Sequence, residues 1–389
     1  MLVAGIPSAA QKPPLRTGES IAPDDPIARL VSQLDLERYK ATIKALTQFG
    51  DRLHGTSRNR AAVDWIEAQL KSYGCTPERH QFTVAQAAIP PPRAGGPPSA
   101  RIVGGSRPRG IRGRTSPNRD PNAQPDPKLR ALNSEPPVPG PREQVYCTKI
   151  GISRPDEMYI VAAHMDGQGF GEAANDNGSG TALVMELARI LSAPGLQSER
   201  SIRFILWNSE EGGLLGARAY VKDRSPLQGQ ENPPGSKRYP EPRWLGMIQH
   251  DMMMWDHGMP GPDGKVNSEQ RREADVNIEF QMNSPMAEAS QKLAWAFKAA
   301  NDKYATDYPA TVGPHMTNTD STPFMSLVAA ISLRENERGM QIGAGWDPNW
   351  HQPSDVFTTY SDKDFRLGLN AAQTTLAAVA QLTGATIKK

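Results

Sequence analysis

Two periodicities divide the chain. In LDLERYKATIKALTQFG (34–50) and SRNRAAVDWIEAQLKSYG (57–74), apolar residues recur every three or four positions, the spacing of one helix face, and Gly74 stands where a C-terminal cap belongs. Short β-type runs follow at HQFTV (80–84) and QVYCTKI (144–150), then the apolar run MYIVAA (158–163). Beyond it the pattern predicts a helix over 178–191, a strand over 201–207, a helix over 214–221, strands over 245–249 and 277–282, and a helix over 286–304. A last strand over 328–333 and a helix over 365–382 complete the alternation. The central strands are continuous apolar runs rather than alternating ones, which predicts an α/β domain whose sheet is covered on both faces.

Between the first two strands the pattern lapses. From Pro90 to Pro141 there are 14 prolines and 7 glycines, so this stretch is read as an irregular insertion within a single domain spanning 28–389. It holds 9 basic and 3 acidic residues, a surplus of +6 in a chain whose formal charge is only +2. That surplus could serve a partner, although a solvated loop without a function is the simpler expectation. The near-neutral whole argues against nucleic acid, and no apolar run approaches the roughly 18–20 residues of a membrane span.

Residues 1–27 are read as an N-terminal tail. They open MLVAGIPSAAQ, apolar and small and ending in Ser8-Ala9-Ala10, as the end of an export signal would. The expectation is a periplasmic or secreted protein, with a cytoplasmic one as the alternative. Two cysteines, Cys75 and Cys147, cannot build a metal site and would pair only in an oxidising compartment. Any metal must therefore use His, Asp and Glu.

Those residues gather at one kind of place. MYIVAA runs into His164-Met165-Asp166, SIRFILW into Asn208-Ser209-Glu210-Glu211, and LGMIQ into His250-Asp251, while Asp176 lies in the loop before the helix at 178. Open α/β sheets build their sites at the C-terminal ends of their strands, so these groups should converge at one edge. Residues two apart in an extended segment share a face, which lets Asp166 orient His164 as a metal ligand. Glu210 and Glu211 leave their strand into Gly212-Gly213, where neighbouring side chains diverge, so that one can bind metal and the other act as a base.

The segments AAHMDG, EAANDNGSGTALVMELAR, FILWNSEEGGLLGARAYV, MIQHDMM and WHQPSD, in this order, resemble the co-catalytic zinc aminopeptidases related to aminopeptidase Y and the bacterial leucine aminopeptidases. The resemblance covers roughly 35–385 apart from the insertion. It implies a three-layer α/β/α fold with a central twisted mixed sheet, and two zinc ions per chain. His164 and Asp251 would bind one zinc, Glu211 and His351 the other, and Asp176 both. Glu210 matches the general base acting on a metal-activated water, while Asp166 and Asp355 match acids supporting the two histidines. The implied activity is hydrolysis of the N-terminal peptide bond of peptides with a free N-terminus; no oligomeric state is implied.

The departures concern substrate. Many such aminopeptidases carry Tyr before the last histidine, where its hydroxyl stabilises the oxyanion; here the residue is Trp350. The related single-zinc glutaminyl cyclases carry Trp-His at this point, so cyclisation stays open, as do dipeptidase and carboxypeptidase activities. The 12-residue step from His164 to Asp176 matches the two-metal peptidases better. A binding protein on a peptidase fold is disfavoured because every ligand position is filled. The segment from Thr319 to Phe324 resembles the family's Ser-Asp-His-x-x-Phe block without its histidine, leaving Asp320 as a pocket candidate, and His315 is another. His250 should face away from Asp251, His54, His80 and His257 are read as surface residues, and Met252 to Met254 as packing rather than a copper site.

Overall fold

The computed structural model describes residues 21–22, 24–84, 117–258, 265, 267–314, 319–335 and 347–387. In chain order these form helices α1 (Pro26–Val31), α2 (Leu36–Thr47) and α3 (Ser57–Ser72), strand β1 (Pro77–Val84), helix α4 (Pro127–Asn133), and strands β2 (Gly140–Lys149) and β3 (Arg154–His164). Helix α5 (Gly180–Leu191), strands β4 (Leu196–Gln197) and β5 (Arg200–Trp207), helix α6 (Leu215–Arg224) and strands β6 (Arg243–His250) and β7 (Val276–Phe280) come next. Helix α7 (Ala287–Tyr304), strands β8 (Ala310–Gly313) and β9 (Ala330–Arg334), helix α8 (Asp362–Thr383) and strand β10 (Thr386–Ile387) close the chain.

Eight strands form one mixed sheet in the order β1-β2-β5-β3-β6-β9-β7-β8, and β4 pairs with β10 apart from it. Strand alternation sends successive residues to opposite layers. On β3, Val161 and Ala163 join a core shared with α2, α3, α5, α7 and α8, while Ile160 and Ala162 join a second core with Ala217 and Tyr220 of α6. On β5, Phe204 and Leu206 face the first layer and Ile205 and Trp207 the second. The result is a three-layer α/β/α domain, and a strand buried on both faces is apolar at nearly every position.

The helices begin and end where side chains can satisfy their free backbone groups. The carboxylate of Asp35 accepts the Arg38 N–H at the start of α2, the hydroxyl of Thr56 accepts that of Asn59 at the start of α3, and Ser361 with Asp364 forms a reciprocal cap on α8. Gly384 ends α8 in the left-handed conformation that glycine adopts without strain.

Several elements differ from the sequence reading. α1, β4, β8 and β10 were not expected, since segments of two to six residues carry too little period to register. β9 starts at Ala330 rather than Val328, because the Val328 N–H closes a turn onto the Phe324 carbonyl. The described part of the proline-rich stretch, from residue 117, contains α4 and the first residues of β2; Asp126 caps α4 and Pro127 opens it, so its prolines partly serve as helix punctuation. His80 and His257 are buried, not at the surface, and His54 is half-buried. Burial is tolerable because both nitrogens of each buried ring have partners: His80 meets Asp223 at 3.0 Å and Gln144 at 2.9 Å, and His257 meets Asp364 and the Asn267 carbonyl at 2.8 Å each. Cys75 and Cys147 form a disulfide that ties the end of α3 to β2.

Candidate active site

β5, β3, β6 and β9 are neighbouring parallel strands, so their C-terminal ends finish side by side: His164 pairs with Trp207, Ala163 with His250, and His250 with Leu333. The residues that follow therefore share one edge. His250 itself faces the α8 layer, with Nδ1 on the Ala162 carbonyl at 3.0 Å and Nε2 on the Thr375 hydroxyl at 2.8 Å, which leaves Asp251 to turn toward the site. Met252, Met253 and Met254 are buried packing residues.

Two groups of ligand-type atoms meet here, each with its atoms within 4.8 Å of one another: His164, Glu210 and Asp251, and Asp176, Glu211 and His351. Asp176 joins them. Its Oδ1 lies 3.4 Å from His164 Nε2 and its Oδ2 3.0 Å from His351 Nε2. Asp251 Oδ1 is 3.4 Å from His164 Nε2, and Glu211 Oε2 is 3.0 Å from His351 Nε2. His164 Nδ1 points at the backbone carbonyl of Asp166 at 3.0 Å; a carbonyl only accepts, so Nδ1 carries a proton and Nε2 is the nitrogen left facing Asp176 and Asp251. The group orienting His164 is thus the Asp166 main chain, not its carboxylate, which is 4.0 Å away. That carboxylate instead accepts the Glu210 and Glu211 backbone N–H groups at 3.1 and 3.3 Å, fixing the turn that aims both glutamates.

Asp355 also acts on backbone. Its two oxygens accept the N–H groups of Asn175 (2.8 Å) and Asp176 (3.1 Å) and the Tyr360 hydroxyl (2.8 Å), so it shapes the Asp176 turn rather than touching His351. Burial, helped by nearby Asp347, pushes its pKa up to about 7. His351 has a left-handed backbone, φ 55°, and its main chain lies against Gly169, where a Cβ would collide with the His351 carbonyl. Gly169, itself at φ 101°, admits that approach.

The donor set fits hard or borderline divalent cations. Four carboxylates converge, and the described groups answering them with positive charge include His164, His351 and Arg334, whose guanidinium meets Asp251 Oδ2 at 2.9 Å. Glu211 Oε1 and His351 Nδ1 are buried without a hydrogen-bond partner, and unsatisfied groups of that kind are rare in folded proteins. The electrostatics agree. Burial raises the Glu210 pKa well above the carboxylate range, with Glu211, Asp320 and Asp251 adding to it. Burial opposes charge on His351, yet Glu211 and Asp176 together hold its pKa up at about 10. Glu210, Glu211, Asp251, Arg334, Gln168 and Trp350 help to line a cavity of about 240 Å³. The Trp350 ring stacks on His351 with centroids 4.0 Å apart.

Asp320 is fully buried and is not among the residues lining this cavity; Gln249 Nε2 donates to it at 3.2 Å, and His315 lies outside the described residues. The sequence reading missed Arg334, Gln168 and Tyr360. Arg334 carried a usable signal, since it ends the apolar run of β9 as His164 ends that of β3. Gln168, which donates to Glu211 Oε2 at 2.6 Å, and Tyr360 carried none.

Known proteins share this arrangement of chain. Leupeptin-inactivating enzyme 1 of Streptomyces exfoliatus is 24% identical over 223 residues, 57% of this chain and 38% of that one. Aminopeptidase YwaD of Bacillus subtilis is 49% identical over 70 residues, 18% of this chain and 15% of that one. The chain thus spans well under half the length of these relatives. Among solved structures, an aminopeptidase from Aneurinibacillus sp. strain AM-1 matches with a TM-score of 0.58 at 17% identity, covering 92% of this chain and 96% of its own. Porphyromonas gingivalis glutaminyl cyclase matches with a TM-score of 0.56 at 15% identity, over 90% and 99%. At such identities these two structures speak to the fold. The sequence profile described as Peptidase family M28 matches residues 146–375, more than half of the chain, from the middle of β2 through most of α8, and the chain belongs to that family.

Proposed function

We propose that the protein is a zinc-dependent aminopeptidase that binds two zinc ions and hydrolyses the N-terminal peptide bond of peptides with a free N-terminus. The observation that carries this reading is the pair of ligand groups joined through the two oxygens of Asp176, with Glu210 beside them. The aminopeptidases among its relatives support it. His164 and Asp251 would hold one ion, Glu211 and His351 the other, and Asp176 both.

When bound, zinc supplies Lewis acidity that polarises a carbonyl and lowers the pKa of water. The chain's own groups do the rest. Glu210, on a turn pinned by Asp166, takes a proton from the attacking water at its carboxylate and returns it to the leaving amine. Arg334 occupies the outer oxygen of Asp251 and leaves Oδ1 facing His164. The cavity is smaller than the roughly 300–1,000 Å³ of drug-sized pockets, which suits a chain end better than a length of peptide.

We also propose export, because the Cys75–Cys147 disulfide belongs to an oxidising compartment. Trp350 keeps glutaminyl cyclisation as a second reading. The test is release of free amino acid from leucyl and other aminoacyl amides, with N-acetylated substrates and a chelator-treated sample alongside. Hydrolysis confined to unblocked substrates and abolished by chelation is expected. Conversion of N-terminal glutamine to a ring with no amide hydrolysis, or equal cleavage of blocked substrates, would overturn the reading.

A further inference from the structure

Two loops carry the residues around the second ligand group: the one from Met165 to Asp176, and the one around His351. Both are tied to residues that precede β2 in the proline-rich stretch. The Asn118 N–H donates to the carbonyl of His351 itself at 2.9 Å. The side-chain amide of Gln124, 2% exposed, donates to the Phe170 carbonyl at 2.7 Å and the Pro353 carbonyl at 3.0 Å, so one nitrogen bridges the two loops. Its oxygen accepts the Asp126 N–H at 3.0 Å, which settles which way the amide points. Nine residues on, Asn133 is 3% exposed; it donates to the Gly171 carbonyl at 2.7 Å and accepts the Asp51 N–H at 3.0 Å.

An open cavity of about 740 Å³ lies against the His351 loop, lined by Gln124, Leu129, Glu172, Gln352, Pro353 and Val356 among others. Among the described residues, directed hydrogen bonds from Asn118 and Gln124 hold the loop across this cavity. Buried amides have little freedom to exchange them for water.

We propose that residues 117–133 form a strap that positions His351, with Gln124 as its principal positioning residue. Part of the proline-rich stretch is then a piece of the active-site framework. The proposal rests on reading Asp176, Glu211 and His351 as metal ligands. It implies reciprocal coupling: the strap favours metal at this group, and metal at this group favours the strap.

The test uses the full chain, with zinc content and stepwise zinc affinity measured by competition with a chelator. Gln124→Met keeps the volume and burial and removes both donated bonds. The expected result is a roughly 10–100-fold loss of affinity for one zinc equivalent, the size associated with groups that support metal ligands, with the other equivalent unchanged and activity restored by excess zinc. Unchanged affinity for both equivalents, or equal weakening of both, would overturn the proposal. Should the variant fail to fold, hydrogen exchange on the wild-type chain decides. Chelation should raise exchange of the Asn118 amide together with that of residues 349–352, and an Asn118 amide indifferent to zinc overturns the proposal. A wild-type chain that takes up no zinc overturns the reading of the site and the strap with it. One that takes up zinc while the strap tests fail overturns the strap alone.

Discussion

Reducing the Cys75–Cys147 disulfide should cost a predictable amount of stability. The bond closes 72 residues of chain, and the closed loop contains the Pro- and Gly-rich stretch from 90 to 141, whose composition favours an expanded unfolded chain. For such a loop the chain-entropy relation gives about 15 cal/mol/K, or about 4 kcal/mol at 25 °C. Unfolding entropy of about 2.1 cal/mol/K per residue comes to about 0.8 kcal/mol/K over 389 residues, so the midpoint should fall by about 5 °C. The comparison is between oxidised and reduced wild-type protein, identical in every side-chain carbon, with thiol titration confirming the state and scanning calorimetry reading the midpoint. A double Cys75→Ala, Cys147→Ala variant should fall at least as far, because Cys147 is fully buried and its truncation leaves a void. The bond joins the turn after α3 to β2 and involves none of the ligand residues, so activity at 25 °C should survive in whatever fraction stays folded. An unchanged midpoint in fully reduced protein would refute the argument, since it would show that β1, paired with β2 from Pro77 to Val84, already constrains the loop in the unfolded ensemble.

The other expectations concern the site. Glu210→Gln should keep the zinc content and lower kcat by about 10²–10⁴-fold, and full turnover would remove Glu210 from its role. Asp176→Ala should lose metal outright, read by elemental analysis, because the residue faces both histidines; a variant with full zinc content would contradict the bridging role. Gly169→Ala places a Cβ against the His351 carbonyl at a backbone angle disfavoured for alanine, so it should lower stability by about 1–3 kcal/mol and weaken zinc binding. Chemical denaturation and chelator competition check that pair, and wild-type values in both would show that the loops move apart freely.

Much of this was legible because the features that carry the chemistry are local in sequence. Apolar strands ending in His164, in Glu210 and Glu211, and in Asp251 state both that a strand stops and that something polar is needed there; parallel neighbours then bring the ends together. What could not be read was how each side chain is held. Asp166 and Asp355 were expected to orient imidazoles, and both instead accept backbone N–H groups of turns that carry ligands. A carboxylate near a ligand looks the same in sequence whichever partner it takes, because the choice depends on turn geometry fixed by residues far along the chain. His80 and His257 were misplaced for a related reason: isolated histidines among polar neighbours look solvated, and only the fold supplies a partner for each ring nitrogen.

The proline-rich stretch shows the same limit at a larger scale. Its composition predicts no core of its own, and Gln124 and Asn133 need none, because each directs its amide to main-chain groups of loops that already exist. Loops around a metal site have unpaired carbonyls and left-handed residues such as His351, so they are where an added segment finds acceptors. A segment whose composition predicts no core is thus tied by hydrogen bonds into the loop that carries His351.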